Sequence, residues 1–217
     1  MREPLRRRSL KRPHYLLGAI TSPGQTMKRL ADDPRGVRRA AIAITSVGVL
    51  YAVTSAVLAA SGAVPLAPEP FNAGADNYFF WQMVFSLPYV LAAWLVSAGV
   101  IRLFGRRGRG KKDPWRGAAA CAAYGTALPL FVAWLPTAVW TAFTLMGMRQ
   151  DEWVGILSPP GLWQALYLST YILAAAWAAV LLAIGSGRSQ KIGVAKSAVA
   201  GLAAATCLAV TYVAFIR

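Results

Sequence analysis

Apolar positions along the chain fall into five long runs separated by short polar stretches. The runs cover about 40–61, 79–101, 117–147, 162–185 and 194–216. Each reaches the ~20 residues that a helix rising ~1.5 Å per residue needs to cross ~30 Å of hydrocarbon. Their interiors hold no Lys, Arg, Asp, Glu or His; Lys196, at the edge of the fifth run, counts with the loop before it. The pattern predicts an all-α fold, an integral membrane bundle of five transmembrane helices. The third run exceeds what a crossing needs and carries Pro129 and Pro136. That predicts either a kink or first turns lying among the headgroups.

Residues 22–34, SPGQTMKRLADDP, predict a short helix before the first span. Ser22 suits the cap, Pro23 the first helical position and Pro34 the stop. Met27 and Leu30 share one side, preceded by Leu16, Leu17 and Ile20 and flanked by Lys28 and Arg29. Such a segment is expected either to lie on the membrane surface as an interfacial helix or to hang as a tethered polar arm. The chain thus divides into a basic arm, 1–39, and a transmembrane domain, 40–217.

Charge then orients the bundle. Residues 1–39 hold eleven Lys and Arg, 62–78 none, 102–116 seven, 148–161 only Arg149, and 186–196 three. Arg217 ends the chain. The alternation follows the positive-inside rule, so the N-terminus is expected in the cytoplasm and the C-terminus outside. Trp81, Trp115 and Trp163 fall near the expected interfaces as belt anchors.

Composition agrees. The chain is 57% hydrophobic and 14% charged yet carries a net charge of +15, against roughly 25% charged residues in a soluble domain. The densest basic stretch is RRGRGKKDPWRG, residues 106–117. In a soluble protein it would read as a nucleic-acid arm. Pinned between two spans, it reads as a topology signal that also meets anionic headgroups, at about 1 kcal/mol per basic residue. Arg106, Arg107, Arg109, Lys111 and Lys112, with Arg38 and Arg39, are the expected contacts for anionic lipids or a partner. No specific nucleic acid is expected.

Residues 6–8, Arg6-Arg7-Arg8, mimic a twin-arginine signal but lack the apolar stretch that should follow. Cys121 and Cys207 sit in apolar runs, and His14 is the one histidine, so neither a disulfide framework nor a metal pattern emerges. Spans without ionisable residues argue against proton-coupled pumping and intramembrane catalysis. No cofactor and no enzymatic activity are expected. Gly193, Ser197, Gly201, Ala205 and Ala209 recur every four residues in the fifth run, a stripe that lets helices approach closely within the bundle or in a homo-oligomer.

One segment carries a resemblance. Residues 104–136 read FGRRGRGKKDPWRGAAACAAYGTALPLFVAWLP, a Phe-Gly, a basic Gly-rich loop, an aromatic, then Tyr124-Gly125, Leu128 and Pro129. With a Pro-led short helix before span one and five spans, this resembles the Yip1 family of small membrane proteins. The resemblance covers about 20–217. It implies a non-enzymatic integral membrane protein, of the short prokaryotic type and hence in the plasma membrane. Relatives linked to Rab-type GTPases carry longer N-terminal regions and an Asp-Leu-Tyr-Gly-Pro stretch that this chain lacks. The expected role is a membrane-organising or partner-docking scaffold working through the basic cytoplasmic face. The alternative is a transporter or lipid-moving protein with a polar groove near Pro88, Pro129 and Pro136.

Overall fold

The five apolar runs become five long helices in the computed structural model, which describes residues 15–65, 77–105 and 114–215. In chain order the helices are α1 (Tyr15–Thr21), α2 (Pro23–Asp32), α3 (Gly36–Ala60), α4 (Tyr78–Phe104), α5 (Pro114–Leu145), α6 (Gln150–Leu157), α7 (Leu162–Gln190) and α8 (Val194–Phe215). α3, α4, α5, α7 and α8 are long and apolar enough to cross a membrane, at 20 to 31 residues each. They alternate in direction, so one end of the bundle carries α1, α2 and the α7–α8 turn, and the other carries α6.

α5 is the central post, packed against α3, α4 and α7 and, at its start, against α1 and α2. Every residue from Gly117 to Leu130 is buried. The run GAAACAA, 117–123, explains this, since small side chains let neighbouring backbones close in from all sides. These first turns are therefore enclosed by protein, not left among headgroups. The helix continues through Pro129 and Pro136, as α4 does through Pro88.

Hydrogen bonds to backbone carbonyls lock the neighbours onto this post. Trp94 Nε1 donates to Ala119 O at 2.7 Å, and the Tyr51 hydroxyl donates to Leu130 O at 2.9 Å. Where water is scarce, a buried donor left unpaired costs several kcal/mol, so such bonds specify the packing.

α2 starts at Pro23 as its sequence suggests, but the Ser22 hydroxyl turns back to the Gly18 carbonyl and does not cap the helix. Its apolar face is not laid outward. Met27 and Leu30 are fully buried against α5 and α7, and the Cys121 thiol donates to Met27 O at 3.4 Å. The exposed apolar residues of the arm belong to α1: Leu16, Leu17 and Ile20. α1 is thus the piece of the arm suited to an interface.

Candidate functional site

Two places stand out, one at each end of the bundle. At the arm end, Asp33 follows α2 and gathers three partners. Its carboxylate accepts from the Tyr15 hydroxyl at 2.9 Å, from the Arg39 guanidinium at 2.8 Å and from the Arg35 backbone N–H at 2.8 Å. The Arg39 guanidinium also lies 5.5 Å from the centre of the Tyr15 ring, and that ring meets Tyr124 edge-on at 6.0 Å. Burial, then the hydrogen bond to Asp33, push the Tyr15 hydroxyl above its ordinary pKa. The Arg39 side chain is 37% exposed, so the ion pair alone contributes on the order of 1 kcal/mol or less. Beside it, Arg35, Arg38 and Arg39 with Ile42 line a shallow pocket of about 300 Å³. Arg116, at the start of α5, donates to the Pro34 carbonyl and ties the arm to the bundle.

At the α6 end, the helices part around a cavity of about 720 Å³. Pro129 and Pro136 of α5, Gln164, Tyr167 and Tyr171 of α7, and Tyr212 of α8 are among its walls. Tyr167 and Tyr171 meet edge-on at 5.2 Å with their hydroxyls 3.4 Å apart, and Tyr212 lies 6.3 Å beyond. α6 closes the top. Trp153 is buried in a satellite core with Leu58, Ala63, Phe79 and Trp140. Gln150 clamps the α3–α4 connection by two 2.9 Å bonds, accepting from Val64 N–H and donating to Val64 O.

A family model, the Yip1 domain, matches residues 17–216. The chain belongs to the Yip1 family. It is an integral membrane protein, with five candidate spans inside the matched region. A search of curated proteins and of solved structures returns no match.

Within this Yip1 domain, the residues expected from the sequence separate by place. Tyr124, Gly125, Leu128 and Pro129 sit together on the central post. Tyr124 touches the arm through Tyr15, and a Cβ on Gly125 would come within 2.7 Å of Leu182 Cδ2 on α7. Pro129 marks where packing gives way to the cavity. Of the small-residue stripe, Ser197, Gly201 and Ala205 lie in the α7–α8 seam. The Ser186 hydroxyl donates to Ser197 O at 3.1 Å, a Cβ on Gly201 would collide with the Ala183 backbone, and Ala205 packs on the core. Gly193 is exposed and meets nothing, and Ala209 is exposed and lines the cavity. Arg38 and Arg39 form the arginine pocket, while Arg106, Arg107, Arg109, Lys111 and Lys112 lie outside the described residues.

Sequence reasoning missed α6 and Asp33, and of the cavity's walls it named only Pro129 and Pro136 as groove residues. The signal for the cavity was present: Gln164, Tyr167, Tyr171, Ala174 and Ala178 recur at spacings of three and four, one face of a helix. The signal for α6 was Glu152, whose carboxylate accepts from the Arg149 backbone N–H at 3.1 Å and closes the first turn. Asp33 offered none, because its partners come from α1 and α3.

Proposed function

We propose that this Yip1 protein is a non-catalytic, membrane-organising scaffold of a prokaryotic plasma membrane. Its arm end faces the cytoplasm, gathers anionic lipids and docks a membrane or cytoplasmic partner, a second copy of the chain being one candidate. The single observation that carries the reading is the arginine pocket. Arg35, Arg38 and Arg39 converge beside an arm whose Leu16, Leu17 and Ile20 are exposed, so charge and apolar surface meet at one end. That combination suits a leaflet of anionic lipid, where cation and hydrophobe act together. The segments assigned to this side carry 21 of the 23 basic residues but four of the eight acidic ones.

The alternative lipid-moving reading is favoured by the cavity, since Pro129 and Pro136 line it as that reading expects, although Pro88 is not among its walls. The solid packing from Gly117 to Leu130 weighs against a path through the bundle.

Two charge-removal variants test the scaffold reading: Arg35→Gln with Arg38→Gln, and the loop set Arg106, Arg107, Arg109, Lys111 and Lys112 each to Gln. Phosphatidylglycerol and partner proteins retained on purification in mild detergent are measured. Both are expected to fall in each variant. Unchanged retention in both, with topology unchanged, would make the charge a topology signal alone. Orientation is checked by cysteine labelling of intact cells at Pro70 and Gly110; labelling at 110 from outside would reverse the assignment.

A further inference from the structure

The cavity at the α6 end lies outside the proposed working face and has a chemistry of its own. Its volume, about 720 Å³, falls within the roughly 300–1,000 Å³ of ligand sites. Among the described residues, no Lys, Arg, Asp, Glu or His is in its walls. It is not sealed. Leu168 and Val213 belong to the walls and are 53% and 46% exposed, and their neighbours Ile172 and Val210, which are not among the walls, are exposed as well. The cavity is therefore continuous with the surface that the bilayer covers.

Its walls are graded along α7. Gln164, Tyr167 and Tyr171 supply amide and hydroxyl groups near the α6 end, and Ala174 and Ala178 follow deeper in. From Gln164 to Ala178 the helix rises about 21 Å. One leaflet's share of the ~30 Å hydrocarbon core is about 15 Å, so the strip runs from the ester region past the mid-plane. A second copy's helix is a poor fit, because a cylinder ~10 Å across and ~21 Å long would need roughly twice the volume present.

We propose that the cavity holds one acyl chain of a glycerophospholipid from the leaflet at the α6 end. The ester carbonyl region sits at Gln164 and Tyr167, which donate hydrogen bonds to it. The methylenes run down past Tyr171 onto Ala174 and Ala178. The tail enters sideways, between α7 and α8.

The test uses the full chain in vesicles of phosphatidylethanolamine and phosphatidylglycerol, with a phosphatidylglycerol carrying a diazirine midway along one acyl chain. Ala175 lines the cavity and Ala176 does not, and both are exposed on α7, so Phe at either position leaves the core alone. Photolabel is expected on cavity residues such as Tyr171 and Trp140. Ala175→Phe should cut that label about tenfold, as an overfilled site does, and Ala176→Phe should leave it unchanged. Native mass spectrometry should show one lipid more held per wild-type chain than per Ala175→Phe chain. Equal labelling in all three proteins, label spread evenly over the five spans, or equal numbers of lipids held by the wild type and Ala175→Phe would overturn the proposal. None of these outcomes bears on the arginine pocket, so this site and the scaffold reading fail separately.

Discussion

The two halves of α5 have nearly the same hydrophobicity and opposite surroundings. From Gly117 to Leu130 every residue is buried. From Phe131 onward exposed residues such as Phe131, Leu135 and Val139 alternate with others that face the cavity, Ala133, Pro136 and Thr137 among them. The first half is built of alanine and glycine, and neighbours close around it, including the arm. The second half carries larger side chains and, at Pro136, a missing N–H group. There α7 stands off, with Leu162, Leu166, Ile172 and Leu173 all exposed. Size, not polarity, separates a region that is packed solid from one that can hold a guest.

The sharpest way to break this comparison is to place the same large side chain in each half. Gly125→Leu drives atoms into Leu182 and is expected to cost about 3 kcal/mol or more. Ala133→Leu grows into the cavity and is expected to cost less than about 1 kcal/mol. Thermal unfolding in a mild detergent reads both; equal losses would mean the cavity side is as tight as the arm side.

Removing side chains gives the next largest effect. Met27→Ala empties a fully buried site between the arm and the post and should cost about 2–4 kcal/mol, with faster proteolysis near Ser22. Leu168→Ala, on a wall that is already half exposed, should change stability by no more than about 0.5 kcal/mol.

Tyr15→Phe sharpens the arm side alone. It removes the hydroxyl that donates to Asp33 and should cost about 1 kcal/mol. A Tyr15 pKa raised on folding gives stability that is fully present below the unfolded value, near pH 10, and is lost as pH rises through the folded one. Arm release, read by proteolysis above pH 10, should therefore steepen with pH in the wild type more than in Tyr15→Phe. Identical profiles would remove Tyr15 as the latch.

A further small effect belongs to the α6 end. Gln150→Ala removes two half-exposed hydrogen bonds to Val64 and should cost about 0.5–1 kcal/mol, while raising the exchange of amides in α6. No rise in exchange would show that Trp153 alone holds this helix down.

The sequence by itself determined the five crossings, because twenty apolar residues without a charge have few other stable settings. It also determined the family, through Tyr124-Gly125 and Pro129 on a span led by a basic loop, and it marked the short helix from Pro23. Tertiary structure decided which faces are used. Met27 and Leu30 read as the apolar side of a helix on the membrane surface or of a tethered arm, and only α5 and α7 standing beside them made them core. Asp33 drew no reading from the sequence, and its role appears only where Tyr15 and Arg39, 18 and 6 residues away, close on it. The small-residue stripe was legible as a packing face, but Gly193 falls in the turn before α8 and Ala209 faces the cavity, so neither belongs to the seam. The cavity was the least legible of all: it opens where helices that pack along the rest of their length part, and a sequence records which residues can pack more plainly than where packing stops.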